Sequence, residues 1–262
     1  MSIIFSAIVP HPPILVSTIG KENTKRLKAT IASYQKLEND LYAAQIDTLL
    51  IISPHGQLQS DSFVMNLSPE YNINFEEFGD FSTKSKINGD IGLGYKIRES
   101  METKMPLQLI TETNLDYGSA IPVYFLTKHL PQLKIIPIHY SGLDLNSHYN
   151  FGQLLKHELL INKNRVVVIA SGDLSHCLTK NSPAGYNVNG KKFDEKLIEY
   201  LKQNKIKKIL SLDQEFISSA SECGLKSIVI LLGILNDIKY QTQLLSYEAP
   251  FGVGYLTMSF KL

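Results

Sequence analysis

The sequence contains no apolar run long enough to cross a bilayer. Its longest, residues 227–235 and 166–170, fall far short of the roughly 20 residues that a spanning helix needs. It also lacks an excess of either charge. The 26 Lys and Arg against 25 Asp and Glu leave a formal net charge of +1, so no nucleic-acid or membrane partner is expected. The two cysteines, Cys177 and Cys223, do not make a disulfide framework of the kind small secreted scaffolds use. Residues 1–9 are apolar but carry no basic region and run straight into His11-Pro12-Pro13. They are expected to form a buried first strand rather than a signal peptide, which makes a reducing cytoplasm the expected compartment. There is no repeat, low-complexity tract or linker. No phosphate-binding loop occurs, and Gly89, Gly92 and Gly94 have the wrong spacing for a dinucleotide fingerprint.

What is present is an ordinary globular composition: 44% hydrophobic and 19% charged residues over 262 positions, enough for a substantial core. Residues 3–9 and 48–52 read as strands, each ended by a proline-histidine turn, with apolar residues at helical spacing over 23–44 between them. This βαβ opening implies parallel strands. Further strands are expected at 62–67, 107–111, 134–139 and 165–170, and helices at 89–101, 193–204 and 221–235. Residues 240–248 and 252–260 read as a closing antiparallel pair. The expected architecture is one α/β domain over 1–262, in three α/β/α layers around a mixed, largely parallel sheet.

His11, His55 and His176 each follow an apolar run just past a strand's C-terminal end. In open parallel sheets those ends form the ligand crevice. A lone histidine beside proline is most often a loop residue with a backbone hydrogen bond, but three at equivalent strand ends point to a shared site. His139 also ends a strand and is a candidate contact in the same crevice. His129, His148 and His157 fall in helical or polar surroundings and are expected at the surface. The run Ser218-Ser219-Ala220-Ser221-Glu222-Cys223-Gly224 precedes an apolar helix. It reads either as a cap, with Ser219 or Ser221 capping, or as the source of an anionic ligand, Glu222. Two imidazoles and one carboxylate are the donor set of non-haem Fe(II) oxygenases. Ser171-Gly172-Asp173-Leu174-Ser175-His176 contains the residue types of a hydrolase triad. Its members sit on one turn, however, and the G-x-S-x-G elbow is missing.

Together, Val9-Pro10-His11-Pro12-Pro13, Ile52-Ser53-Pro54-His55-Gly56, the Ser171–His176 run, Glu222-Cys223-Gly224 and Ser246-Tyr247-Glu248-Ala249-Pro250-Phe251-Gly252-Val253-Gly254-Tyr255 resemble the LigB-type class III extradiol dioxygenases. The resemblance is stronger to the Memo-like branch associated with the AmmeMemoRadiSam system. It implies Fe(II) held by His11, His55 and Glu222, with His176 as the acid–base residue. The implied substrates are a small catechol or aminophenol and O2. Tyr117, Asp173 and His139 are candidate substrate contacts. Ring-cleaving relatives commonly carry Asp-His-Gly where this chain has Asp116-Tyr117-Gly118, and a tyrosine cannot act as a base at neutral pH. Memo-like relatives place a cysteine near the third ligand. Consecutive helical residues point about 100° apart, so either Glu222, the preferred choice, or Cys223 faces the metal. A cysteine would shift the preference from iron toward zinc or copper. The branch further implies a metal-binding accessory role as the alternative to ring cleavage, and an AMMECR1-type partner domain. Homo-oligomers are common among soluble proteins in general, so a homo-oligomer is among the expected partners, with no interface marked in the sequence.

Overall fold

The computed structural model describes residues 2–262. Its strands are β1 (Ile3–Val9), β2 (Thr48–Ser53), β3 (Phe63–Asn66), β4 (Glu70–Phe75), β5 (Asp80–Gly89), β6 (Leu107–Ile110), β7 (Lys134–His139), β8 (Val166–Ser171), β9 (Gln241–Glu248) and β10 (Tyr255–Lys261). They form one 10-stranded sheet in the order β4-β5-β7-β2-β8-β1-β10-β9, with β3 and β6 joined beside β7. The centre, β7-β2-β8-β1, is parallel throughout. β1 and β2 are parallel but not neighbours, because β8 lies between them. β9 and β10 are the antiparallel closing pair that the sequence suggests.

The central strands are buried on both faces, which is why they read as unbroken apolar runs. Alternate side chains serve two cores. Leu50, Ile52, Ile136, Ile138 and Val168 pack under helices that include Leu145–Ile161 and Leu225–Ile234. Leu49, Ile51, Ile135, Val167 and Ile169 pack under Lys28–Ala44 and Tyr117–Leu126. The result is the expected three-layer α/β arrangement. Among the described residues, no helix is long and apolar enough to cross a membrane.

Several parts depart from expectation: the helices Leu145–Ile161, Ile206–Leu210 and Gln214–Ala220 carry no range in the sequence reading, and two further elements were hidden for identifiable reasons. The β4–β5 hairpin was not anticipated, because β5 is mostly solvent-exposed and carries no alternating pattern. The helix Tyr117–Leu126 was likewise hidden, by Gly118 and Pro122 near its start. Its cap was nonetheless in the sequence: Asp116 Oδ1 accepts from the Ser119 N–H at 3.0 Å.

One histidine assignment is corrected. His129 and His157 are exposed, but His148 is fully buried, edge-on to Phe63 at 5.0 Å between centroids. Its Nδ1 donates to the Asp144 carbonyl at 2.7 Å, and its Nε2 accepts from the Ser141 N–H at 3.2 Å. That pattern uses the neutral ring, and burial lowers the pKa from 6.5 to about 4. The unfolded chain therefore binds the proton first as pH falls. Stability contributed by neutral His148 is complete above about pH 6.5 and is lost toward about pH 4. At about 1.4 kcal/mol per pH unit, the loss approaches about 3 kcal/mol. His148→Gln keeps an acceptor for Ser141 but cannot titrate. Urea unfolding should show the stability gap between wild type and variant closing as pH falls through this window. A constant gap would refute the assignment.

Candidate metal centre

Four adjacent parallel strands deliver four histidines to one edge of the sheet. His139 ends β7, His55 lies two residues beyond β2, His176 five beyond β8, and His11 two beyond β1. His11 and His55 meet directly, with their Nε2 atoms 2.9 Å apart. Cys223 Sγ lies 3.7 Å from His11 Nε2. The donor atoms of His11, His55 and Cys223 all fall within 4.8 Å of one another.

The orientation of His11 can be traced through a hydrogen-bond relay. Pro122 has no N–H to give to the carbonyl four residues earlier, that of Gly118. The Gly118 carbonyl instead accepts from the Ser171 hydroxyl at 2.5 Å. With its own proton spent there, Ser171 Oγ must accept from His11 Nδ1, 2.9 Å away. His11 is thereby held as the Nδ1–H tautomer, and its Nε2 lone pair faces His55 and Cys223. The His11 backbone N–H is anchored on Asp173 Oδ1 at 2.9 Å.

Cys223 is placed by a backbone clamp. A Cβ on Gly172 would lie 2.1 Å from the Gly224 Cα, so only glycine allows the two segments to touch there. Across that contact the Asp173 carbonyl accepts from the Cys223 and Gly224 N–H groups at 3.3 and 3.0 Å. The Asp173 N–H in turn donates to Cys223 Sγ at 3.3 Å. Glu222, the third ligand preferred from sequence, does not join the cluster. Its Oε2 accepts from the Leu225 N–H at 2.6 Å and caps the helix that begins there. Residues 222 and 223 precede that helix, so the helical spacing used to weigh them did not apply. The N-cap residue is Gly224, and the side chain that takes the first helical N–H is that of Glu222 rather than Ser219 or Ser221.

The remaining candidates surround the cluster. Tyr117 stacks on His55 at 4.2 Å, and its hydroxyl lies 3.0 Å from His55 Nε2. Phe78, from the turn of the β4–β5 hairpin, packs edge-on against Tyr117 at 5.3 Å. His176 Nδ1 donates to the Ser221 carbonyl, leaving Nε2 free and 3.9 Å from Asp173 Oδ2. Asp116 joins the helix start to the strand ends, accepting from Ser53, Ser119 and His139 Nε2, the last at 3.3 Å. Neither serine of the Ser171–His176 segment is available as a nucleophile. Ser171 is committed to Gly118, and Ser175 donates to the Ala220 carbonyl at 2.8 Å.

The electrostatics favour a cation. Burial, the largest effect, lowers both His11 and His55 to about 3, so both rings are neutral at physiological pH. Burial pushes the Cys223 thiol well up, and the neighbouring Asp173 adds to this. Asp116 stays low, at about 2, because hydrogen bonds outweigh its burial. Burial raises Asp173 to about 6. Two neutral imidazole nitrogens in contact, beside a sulfur and an ionised carboxylate, fit a transition-metal ion. Sulfur moves the preference toward zinc or copper relative to a carboxylate donor.

Residues 6–258 match the LigB family, described as the catalytic LigB subunit of aromatic ring-opening dioxygenase. The chain belongs to the LigB family. Protein CA_C1420 of Clostridium acetobutylicum is 34% identical over 261 residues, covering 96% of this chain. This chain spans 56% of that protein's length. The fold is similar to the crystal structure of an uncharacterized protein, JW3007, from Escherichia coli K12. The TM-score is 0.71 at 14% identity, over 98% of this chain and 99% of that one.

Several residues of this LigB-family site were not singled out as site residues by sequence reasoning: Ser53, Phe78, Gly118, Pro122, and Ser171 as an orienting group. The one available signal was a proline four residues after a glycine, in a segment that follows a strong cap. Ser171→Ala removes the acceptor of His11 Nδ1–H and should weaken metal binding about 10- to 100-fold. Pro122→Ala restores a competing N–H for Gly118 and should act in the same direction by less. Competition with a chromophoric chelator measures both. Wild-type affinity in Ser171→Ala would disprove the relay.

Proposed function

We propose that the chain is a non-haem metal-dependent extradiol dioxygenase-like enzyme, with Fe(II) as the working metal, that opens the ring of a small catechol or aminophenol with O2. The cluster of His11, His55 and Cys223 carries this reading. It lies at the C-terminal ends of parallel strands, with a free imidazole nitrogen on His176 nearby. LigB-family membership supplies the reaction class.

His11, His55 and Cys223 would hold the metal, which supplies a Lewis-acidic, redox-capable centre where diol and O2 can meet. The protein's own groups handle protons. His176 has Nδ1–H fixed on Ser221, so its Nε2 is the accepting atom for a diol proton. Asp173, beside that nitrogen, favours the imidazolium formed. The proton can then be returned from the same atom. The Tyr117 phenol is held protonated, its pKa raised first by burial and then by neighbouring anions, so it serves as a hydrogen-bond donor rather than a base. Phe78 and Tyr117 together form an apolar wall beside His55.

A second reading is favoured by one observation, the sulfur in the donor set. A Memo-like metal-binding accessory protein of the AmmeMemoRadiSam system, acting with an AMMECR1-type domain, would retain the cluster without ring cleavage. The greater length of the Clostridium relative leaves room for such a further domain there.

Protein purified without added metal should contain about one equivalent of a transition metal by elemental analysis. Loaded anaerobically with Fe(II), it should consume O2 with at least one member of a catechol panel. His176→Gln should keep the metal and lower kcat by about 10²- to 10⁴-fold. Metal binding without O2 uptake on any diol would select the accessory reading. The third ligand is tested separately. Cys223→Ala should lose most of the metal, whereas Glu222→Gln should keep it. The opposite pattern would restore the carboxylate.

A further inference from the structure

The run Ser246–Tyr255 supplies none of the three grouped donors of the metal centre. It meets instead the segment that carries His176. Residues 172–177 belong to no helix or strand, so individual hydrogen bonds set where His176 stands. The Leu174 N–H donates to the Gly254 carbonyl at 2.8 Å, and the Gly254 N–H donates back to the Ser175 carbonyl at 2.9 Å. The Ser175 hydroxyl donates to the Ala220 carbonyl, and the His176 N–H reaches the same carbonyl at 3.3 Å.

That leaves the N–H of Ser175, the residue before His176 and itself fully buried. It donates to Asp194 Oδ1 at 2.9 Å. Asp194 lies on the helix Val188–Lys202 and is also fully buried. Its Oδ2 accepts from the hydroxyl of Tyr247, on β9, at 2.7 Å. A Cβ on Gly254 would lie 2.1 Å from that same oxygen, so the carboxylate fits only against a glycine. Tyr247 and Gly254 both come from the 246–255 run, which thus forms the seat of the carboxylate. Burial raises Asp194 to about 6, although both hydrogen bonds pull it down. Burial, and then the charge of Asp194, pushes the Tyr247 phenol well up, which keeps it the donor.

We propose that Asp194 is a positioning residue for His176: it holds the Ser175 N–H, and with it the turn from which the His176 ring reaches the Ser221 carbonyl. The proposal rests on the reading of His176 as the acid–base residue. The carboxylate facing His176 Nε2 is that of Asp173, at 3.9 Å, whereas the hydrogen bonds of Asp194 go to Ser175 and Tyr247. Asp194 therefore acts on the ring through the backbone rather than as its charge partner. With this acceptor removed, the buried Ser175 N–H is unpaired and the turn shifts to find another partner. The His176 Nδ1–H then leaves Ser221, and Nε2 is no longer reserved as the accepting atom.

The test reads His176 without needing turnover. Protein with ¹⁵N-labelled histidine is loaded with Zn(II), and the His176 signals are assigned by their loss in His176→Gln. Wild type should show neutral His176 as one tautomer, with Nδ1–H and a bare Nε2. Asp194→Asn keeps the acceptor and loses the charge, and should keep that signature. Asp194→Glu keeps the charge but displaces the acceptor by a methylene, and Asp194→Ala removes it, so both should show mixed tautomers. The His11 and His55 signals should stay as in wild type, and Zn(II) affinity should change by less than about threefold. A wild type with mixed tautomers overturns the proposal, as does an unchanged His176 in Asp194→Glu and Asp194→Ala. So does loss of the signature in Asp194→Asn, which makes charge the cause, or a joint shift of His11, His55 and His176, which marks a general loss of structure. If Asp194→Ala does not fold, Asp194→Asn and Asp194→Glu decide. On Fe(II)-loaded protein with a catechol that wild type opens, Asp194→Glu should lower kcat about 10- to 100-fold with KM within about threefold of wild type. If wild type opens none while the spectra follow expectation, Asp194 stands as the residue that orients His176 and the ring-cleaving reading falls.

Discussion

The direction of one lone pair, that of His11 Nε2, governs the rest of the site. It is set by a relay that begins at a residue with no polar side chain. Pro122 deprives the Gly118 carbonyl of its helical partner, Ser171 fills the gap, and His11 Nδ1–H completes the line. A helix-interior proline ordinarily costs stability, because it leaves a carbonyl unpaired. Here that carbonyl is used by another element, so the cost is partly offset and the ring gains a fixed tautomer. The relay also ties β8 to the helix Tyr117–Leu126, whose cap, Asp116, reaches the ends of β2 and β7. Ligand orientation and layer packing are therefore one set of contacts.

The second constraint is the Gly172–Gly224 contact. Backbone against backbone, it lets the Asp173 carbonyl take both the Cys223 and Gly224 N–H groups. Once those bonds form, Cys223 is directed inward beside His11, and Glu222 is left to cap the following helix. Which of the two neighbours faces the His11–His55 pair is decided by the turn before the helix and its hydrogen bonds, not by helical phase.

This explains what the sequence could and could not disclose. Strands such as β1 and β7 match their expected ranges because burial on both faces writes a continuous apolar run. The histidines were legible because strand ends in a parallel sheet converge. The helix Tyr117–Leu126 was not, since Gly118 and Pro122 are local breakers retained for the relay, and β5 was not, since an exposed strand needs no pattern. His148 looked like a surface residue because its two partners, the Asp144 carbonyl and the Ser141 N–H, are backbone groups with no sequence signature. Local rules were broken mainly where the site required it.

The charge balance leaves room for a cation at the cluster. Asp116 is buried and ionised with His139 against its carboxylate, Asp173 is buried and raised to about 6 with His176 beside it, and His11 and His55 are neutral. Buried negative charge beside neutral donors is costly unless positive charge compensates it. A metal ion at the cluster would add positive charge there and favour loss of the Cys223 thiol proton, which burial otherwise retains. Neither aspartate is among the three grouped donors: Asp173 anchors the His11 backbone and the Cys223 turn, and Asp116 ties the Tyr117–Leu126 helix start to the strand ends, so both act on the cluster through the backbone that presents it.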